Sequence, residues 1–221
     1  MAKNTKGNSV SQQQYHLRAI ILICNSQQIF KKTIFTVKNE HLNNIPAYKT
    51  EVIDTEVSKI QYLFESKGEK SIIKAIEYSF VRKLSGRNVY NLGFGDYDEQ
   101  NGSIIDDINS NNGDMRKVFS TVLNTVPKFF AENRDSAIWV QGSDSAENFK
   151  IKCEVECKKN CTGICKNYNR RIKAYRYYVD RNFVELSKEY IFFGFTNGEN
   201  PNFIQYIPKN EYIGILVFKK K

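Results

Sequence analysis

Four of the five cysteines in this 221-residue chain stand at Cys153, Cys157, Cys161 and Cys165, one every fourth residue. Zinc takes four thiolate or imidazole ligands in a tetrahedron, with sulfur at about 2.3 Å. On one unbroken helix, cysteines four apart would line up along a single face and could not converge. Thr162-Gly163 interrupts the segment, so that two ligands can come from one turn and two from the next. The spacing predicts a structural zinc site with all four ligands from protein, a closed site that staples a loop and activates no water. Four thiolates also suit an iron–sulfur cluster, and in an exported chain the same residues would form two disulfides.

A basic stripe follows. Lys158, Lys159, Lys166, Arg170, Arg171, Lys173, Arg176 and Arg181 face a single acid, Asp180, so this stretch carries +7 of a formal net charge of +9. Tyr168, Tyr175, Tyr177 and Tyr178 alternate with these cations. Lysine and arginine neutralise phosphates while aromatic faces stack on bases. Arg170, Arg171, Lys173, Tyr175 and Arg176 are therefore candidates for a nucleic-acid or phosphate surface, and a solvated helix face with inward tyrosines is the competing reading.

Other chemistry is thin. Asp96-x-Asp98 with Gly102 approaches a calcium loop, but the glycine is one place late and the terminal glutamate is missing. His16 and His41, the two histidines, stand in no metal or triad spacing, and the chain has no Walker loop or dinucleotide glycine fingerprint. Between Arg87 and Asp114 six acids meet one base, an acidic counterpart to the stripe.

Residues 1–14 are polar and predict a frayed tail. Tyr15–Cys24 and Ile29–Val37 read as a hairpin, an amino-terminal appendage over 15–56 that ends near the break Asn43-Asn44-Ile45-Pro46. The main domain, 57–221, begins as a meander: alternating Ile60, Tyr62 and Phe64, a turn at Lys67-Gly68, a strand over 72–81, and a third strand over 89–94. Asn101-Gly102 before Ile104 and Ile105 predicts a type I′ hairpin.

A helix follows, with Val118, Phe119, Val122, Leu123, Val126, Phe129 and Phe130 on one face. Asn112 reads as its N-cap, with Asp114 in the first turn, and Pro127 predicts a kink or an early end. Ala137–Val140 reads as a buried strand, Tyr168–Phe183 as a basic helix, and 190–195 and 212–218 as closing strands. The fold class is α+β, with a Cys-rich insertion at about 150–168.

With 41% hydrophobic and 26% charged residues the chain can bury a core. Its longest apolar run, Ala19–Cys24, is far too short to span a bilayer, and no cleavage site follows it. A cytoplasmic location with no membrane association is the expectation, with nucleic acid or an acidic protein as partner.

Read together, the segment NLGFGDYDEQNGSIIDDINSNNGDMRKVFSTVLNTVPKFF, then Gly142-Ser143, Arg171-x-Lys173-x-Tyr175, IFFGF and ILVFKKK resembles an uncharacterised family of small Bacteroidota proteins. The likeness spans 59–221. The Cys-rich stretch looks inserted and residues 1–56 look added. This kind of family points to a defence, toxin–antitoxin or mobile-element setting, phage defence among them. The element order also looks like half of an acyl-CoA-dependent acetyltransferase fold, in which a helix N-terminus cradles a pyrophosphate. That likeness implies Asn112 and Gly113 at the cradle, Arg171 and Lys173 near the phosphates, and Tyr175 as a general acid, although the usual glycine-rich loop is absent. Two functions stand side by side: a regulatory protein that binds nucleic acid through residues 158–181 beside a zinc-stapled loop, and a small transferase using acyl-CoA or another nucleotide-containing cofactor.

Overall fold

The computed structural model describes residues 46–56, 58–105, 112–145, 148–156, 161–162, 165–196 and 202–221. The expected amino-terminal hairpin lies outside these residues. Strands β1 (Glu51–Glu56), β2 (Lys59–Lys67), β3 (Ser71–Leu84) and β4 (Arg87–Asp98) form an antiparallel meander, and the short β5 (Ser103–Ile105) folds back on the end of β4. Helix α1 (Met115–Glu132) then crosses over to β6 (Ala137–Gln141), which lies parallel to β4. A 3-10 turn (Ser143–Ser145), α2 (Phe149–Glu156) and α3 (Arg170–Glu189) lead to β7 (Tyr190–Phe195), β8 (Phe203–Gln205) and β9 (Gly214–Lys219). The sheet has nine strands in the order β1-β2-β3-β4-β6-β9-β7-β8, with β5 beside β4. The fold is α+β, and among the described residues no helix is long and apolar enough to cross a membrane.

Strand alternation divides the apolar residues between two faces. Ile60, Tyr62 and Phe64 of β2, Ile76 and Tyr78 of β3, Tyr90 and Leu92 of β4, and Ile215 and Val217 of β9 share one cluster with Val118, Val122, Phe129 and Phe130 of α1 and Ile172 and Val179 of α3. Both long helices therefore lie on the same face. The intervening positions Val89, Ala137, Phe193, Leu216 and Phe218 form a second cluster on the other face.

Three local expectations are corrected. The β4–β5 connection is a four-residue loop, since Asp98 pairs with Ser103, and only Gly102 in it has a positive φ. A type I′ turn needs two such residues. Asp98 sets this longer loop by accepting the Gln100 backbone N–H at 2.9 Å and the Asn101 side-chain amide. The α1 N-cap position is Asp114, not Asn112: Asn112 Oδ1, the atom a cap would use, accepts the Lys70 N–H (3.4 Å), while its amide donates to Ser66 Oγ (3.0 Å) and the Lys70 carbonyl (2.9 Å). Pro127 does not end α1, which runs on to Glu132. Proline removes one backbone bond there, while Phe129 and Phe130, both almost fully buried, hold the last turns down.

Lys74 and Asp96 face each other across β3 and β4, form a direct ion pair, and are 7% and 8% exposed. Removing one member leaves an uncompensated buried charge. Asp96→Asn is expected to lower stability by about 3–5 kcal/mol in urea unfolding. The double variant Lys74→Met/Asp96→Leu should recover most of that loss, and a double as unstable as the single would contradict this account.

Candidate functional site: the parting of two parallel strands

β4 and β6 pair over three residues only, Val89–Asn91 against Ala137–Trp139. β3 occupies the opposite edge of β4 as far as Asp96, so β5, which pairs with 96–98, sits on the same edge as β6. Between them, residues 92–95 (Leu92, Gly93, Phe94, Gly95) present a backbone edge to which no described strand is paired. Such an edge is a row of amide donors and acceptors ready to pair with an extended, amide-bearing partner.

Above this notch a cavity of about 150 Å³ separates α1 from α3. Leu92, Val122, Val126, Val140, Val179 and Leu186 form much of its wall. At the notch end the rings of Phe119 and Tyr175 meet at 5.7 Å, and both pack edge-on against Phe94. Toward the other end Tyr190 lines the cavity, 5.5 Å from Phe130. Among the described residues its buried hydroxyl has no hydrogen-bond partner. Burial raises its pKa to about 12, so it stays protonated.

The residues singled out in the sequence divide according to helical period. Arg170 and Lys173 are exposed on the outer side of α3. Arg176 is 8% exposed and grips Glu211 with both terminal nitrogens, Nη2 to Oε1 at 2.7 Å. Tyr175 turns inward, where desolvation raises its pKa. The Asp144 charge adds to that rise and Arg171 opposes it. Arg171 reaches back to Ser143 Oγ, and burial lowers its own pKa. The stripe is thus not one surface.

Asn112 and Asp114 fasten the start of α1. The Asp114 carboxylate accepts Ser66 Oγ–H at 2.6 Å and Tyr48 Oη–H at 2.8 Å. Gly113, at φ +72°, has open space where a side chain would stand, so the first turn of α1 can be approached from outside. Tyr190, Phe119, Ser143 and Asp144 were not foreseen as site residues. Gly142-Ser143 was the one signal the sequence carried for the latter pair.

The Cys-rich segment leaves and returns at one point. The Asn169 N–H donates to the Asp144 carbonyl at 3.1 Å, and the Arg171 N–H donates to Asp144 Oδ2 at 3.0 Å. Cys153 lies on α2 and Cys161 and Cys165 in the following loop, all half-buried, while Cys157 lies outside the described residues. The Lys166 N–H donates to Cys161 Sγ at 3.2 Å, and Asn167 Nδ2 donates to Cys153 Sγ at 3.4 Å. Among the described residues no three His, Cys, Asp or Glu side chains stand together as a metal site.

Residues 44–151 match the model of the Family of unknown function (DUF6934). The likeness to a family without an assigned activity is thereby shown over this segment. The DUF6934 match takes in the meander, the notch, α1 and β6, and stops short of the four cysteines and α3. No curated protein and no solved structure matches the chain.

Asp144 ties both ends of the insertion and caps α3, so Asp144→Ala should cost about 1–2 kcal/mol in urea unfolding. Burial outweighs the backbone donors and raises the Asp144 pKa. Its folded value thus lies above the unfolded one, and protonation favours the fold as pH falls through the folded pKa. The parent should gain stability relative to Asp144→Asn between pH 7 and pH 4. A relative loss over that range would show that the donors outweigh burial.

Proposed function

We propose that the chain binds acyl-CoA or a closely related nucleotide-containing thioester in the notch between β4 and β6 and transfers its acyl group. The observation that carries this reading is that, among the described residues, no strand pairs with β4 at 92–94, beneath a largely apolar cavity walled by α1 and α3. An extended arm with two amides finds donors and acceptors along that edge. The first turn of α1 has no side-chain cap bond, Arg116 is exposed beside it, and no described atom stands within 4 Å of where a Gly113 side chain would be, which suits a pyrophosphate. The strand order supports the same reading, as an analogy of fold.

When bound, the cofactor supplies an acyl group activated as a thioester. The chain's own part is to hold the arm extended and exclude water with Phe94, Phe119 and Tyr175. Burial disfavours the Tyr175 phenolate, so its Oη would pass its proton to the departing sulfur only as it takes the proton that the amine acceptor loses on bonding to the acyl carbon, and Tyr175 ends the step protonated as it began.

Coenzyme A at 100 times its Kd should add about 2.7 kcal/mol of stability, read as a rise in Tm. Tyr175→Phe should bind the cofactor normally and lose about 100-fold or more in acyl transfer to an amine acceptor. The absence of any Tm rise in millimolar coenzyme A would overturn the proposal.

A second reading draws on the outer side of α3, where Arg170, Lys173, Tyr177 and Arg181 are exposed together. They suit an anionic partner such as single-stranded nucleic acid, with zinc held by Cys153, Cys157, Cys161 and Cys165 ordering the loop beside them. Two sulfurs that accept N–H bonds favour thiolate character. Elemental analysis should return one equivalent of metal, and less than half an equivalent would remove the zinc part. Single-stranded RNA should be retarded at low salt and released by Arg170→Glu/Lys173→Glu. No retardation at low salt would remove the rest.

A further inference from the structure

We infer that the cavity between α1 and α3 is an acyl-chain pocket, and that the group carried is a medium-length aliphatic acyl chain of about six to eight carbons, not acetyl. This rests on the acyl-CoA reading above and names the substrate class of that site.

The support is the cavity itself. It is a cleft between α1 and α3, open beside the exposed Asn124, Pro127 and Glu185, with the ring pairs Phe119–Tyr175 at one end and Phe130–Tyr190 at the other. Phe119 and Phe130 stand eleven residues apart on α1, a rise of about 16 Å. A dry apolar cavity of about 150 Å³ holds a six-carbon ring. Length and volume together describe a slot for a chain, where an acetyl group would leave most of the space empty.

Chemistry along the wall agrees. Val122, Val126, Val179, Leu186, Ile215 and Val217 offer only methyl and methylene surface. The slot begins at Tyr175, the residue assigned to the sulfur, so a chain attached at the thioester would enter it directly. Glu185 and Glu189 stand on the lining and disfavour a chain that ends in a carboxylate. Tyr190, 6% exposed, lines the far end of the cavity.

Titration of the full chain with coenzyme A, acetyl-CoA and octanoyl-CoA, followed by calorimetry, tests this. Each buried methylene is worth up to about fourfold in affinity, so octanoyl-CoA should bind at least tenfold more tightly than acetyl-CoA. Val126→Trp, which fills the slot, should bring octanoyl-CoA to the affinity of acetyl-CoA. If that variant unfolds below the parent's range, Leu186→Phe serves the same purpose. Equal affinities for the two thioesters in the parent would overturn the chain-length assignment and leave the acyl-CoA reading standing. A tenfold preference that survives in a folded, filled variant would also overturn it. Failure of all three compounds to bind would overturn the acyl-CoA reading itself.

Discussion

β4 shares its outer edge between two partners. It pairs with β6 at 89–91 and with β5 at 96–98, and the four residues between have backbone groups directed at neither. In a sheet, a parallel neighbour joined by a crossover helix normally continues alongside for the length of the strand. Here β6 ends at Gln141 and the chain turns away through Gly142 into the 3-10 turn. A side chain at Gly142 would collide with Asp144 Oδ1, so the turn depends on that glycine. The parting separates α1 from α3, because each helix packs on its own side of the gap, and the cavity between them follows from it.

Two sets of contacts keep the parted halves in register. On the meander side, Asp114 and Asn112 bind Ser66, Tyr48 and the Lys70 carbonyl, which fixes the start of α1 over the end of β2. On the other side, Asp144 receives the N–H groups of Asn169 and Arg171 and fixes the start of α3 at the end of β6. Each helix is thus anchored at its N-terminus by a carboxylate that also serves another element. The aromatic triad Phe94, Phe119 and Tyr175 spans the gap between the two anchors. Both ends of the segment 145–168 meet at the Asp144 anchor.

The meander, the helix over 115–132, the strand at 137–141 and the closing strands were legible in the sequence because each rests on local periodicity. Alternation in Ile60, Tyr62 and Phe64 and the 3.6-residue spacing from Val118 to Phe130 record which face is buried, whatever that face meets. The N-cap had no such local mark. Asn112 and Asp114 are both good cap types, and Asn112 is drawn away by the backbone of Lys70, some forty residues earlier in the chain.

Local pattern in the sequence is enough for the α+β class, the alternating faces and the concentration of positive charge on 158–181. How that charge is used depends on packing. A helix turns 100° per residue, so a stripe continuous in sequence is distributed around its axis: Arg170 and Lys173 face outward, Tyr175 faces the core, and Arg176 is held by Glu211. The notch and the cavity left no local mark, because each is made by the distance between two strands and two helices that the chain brings together from positions far apart.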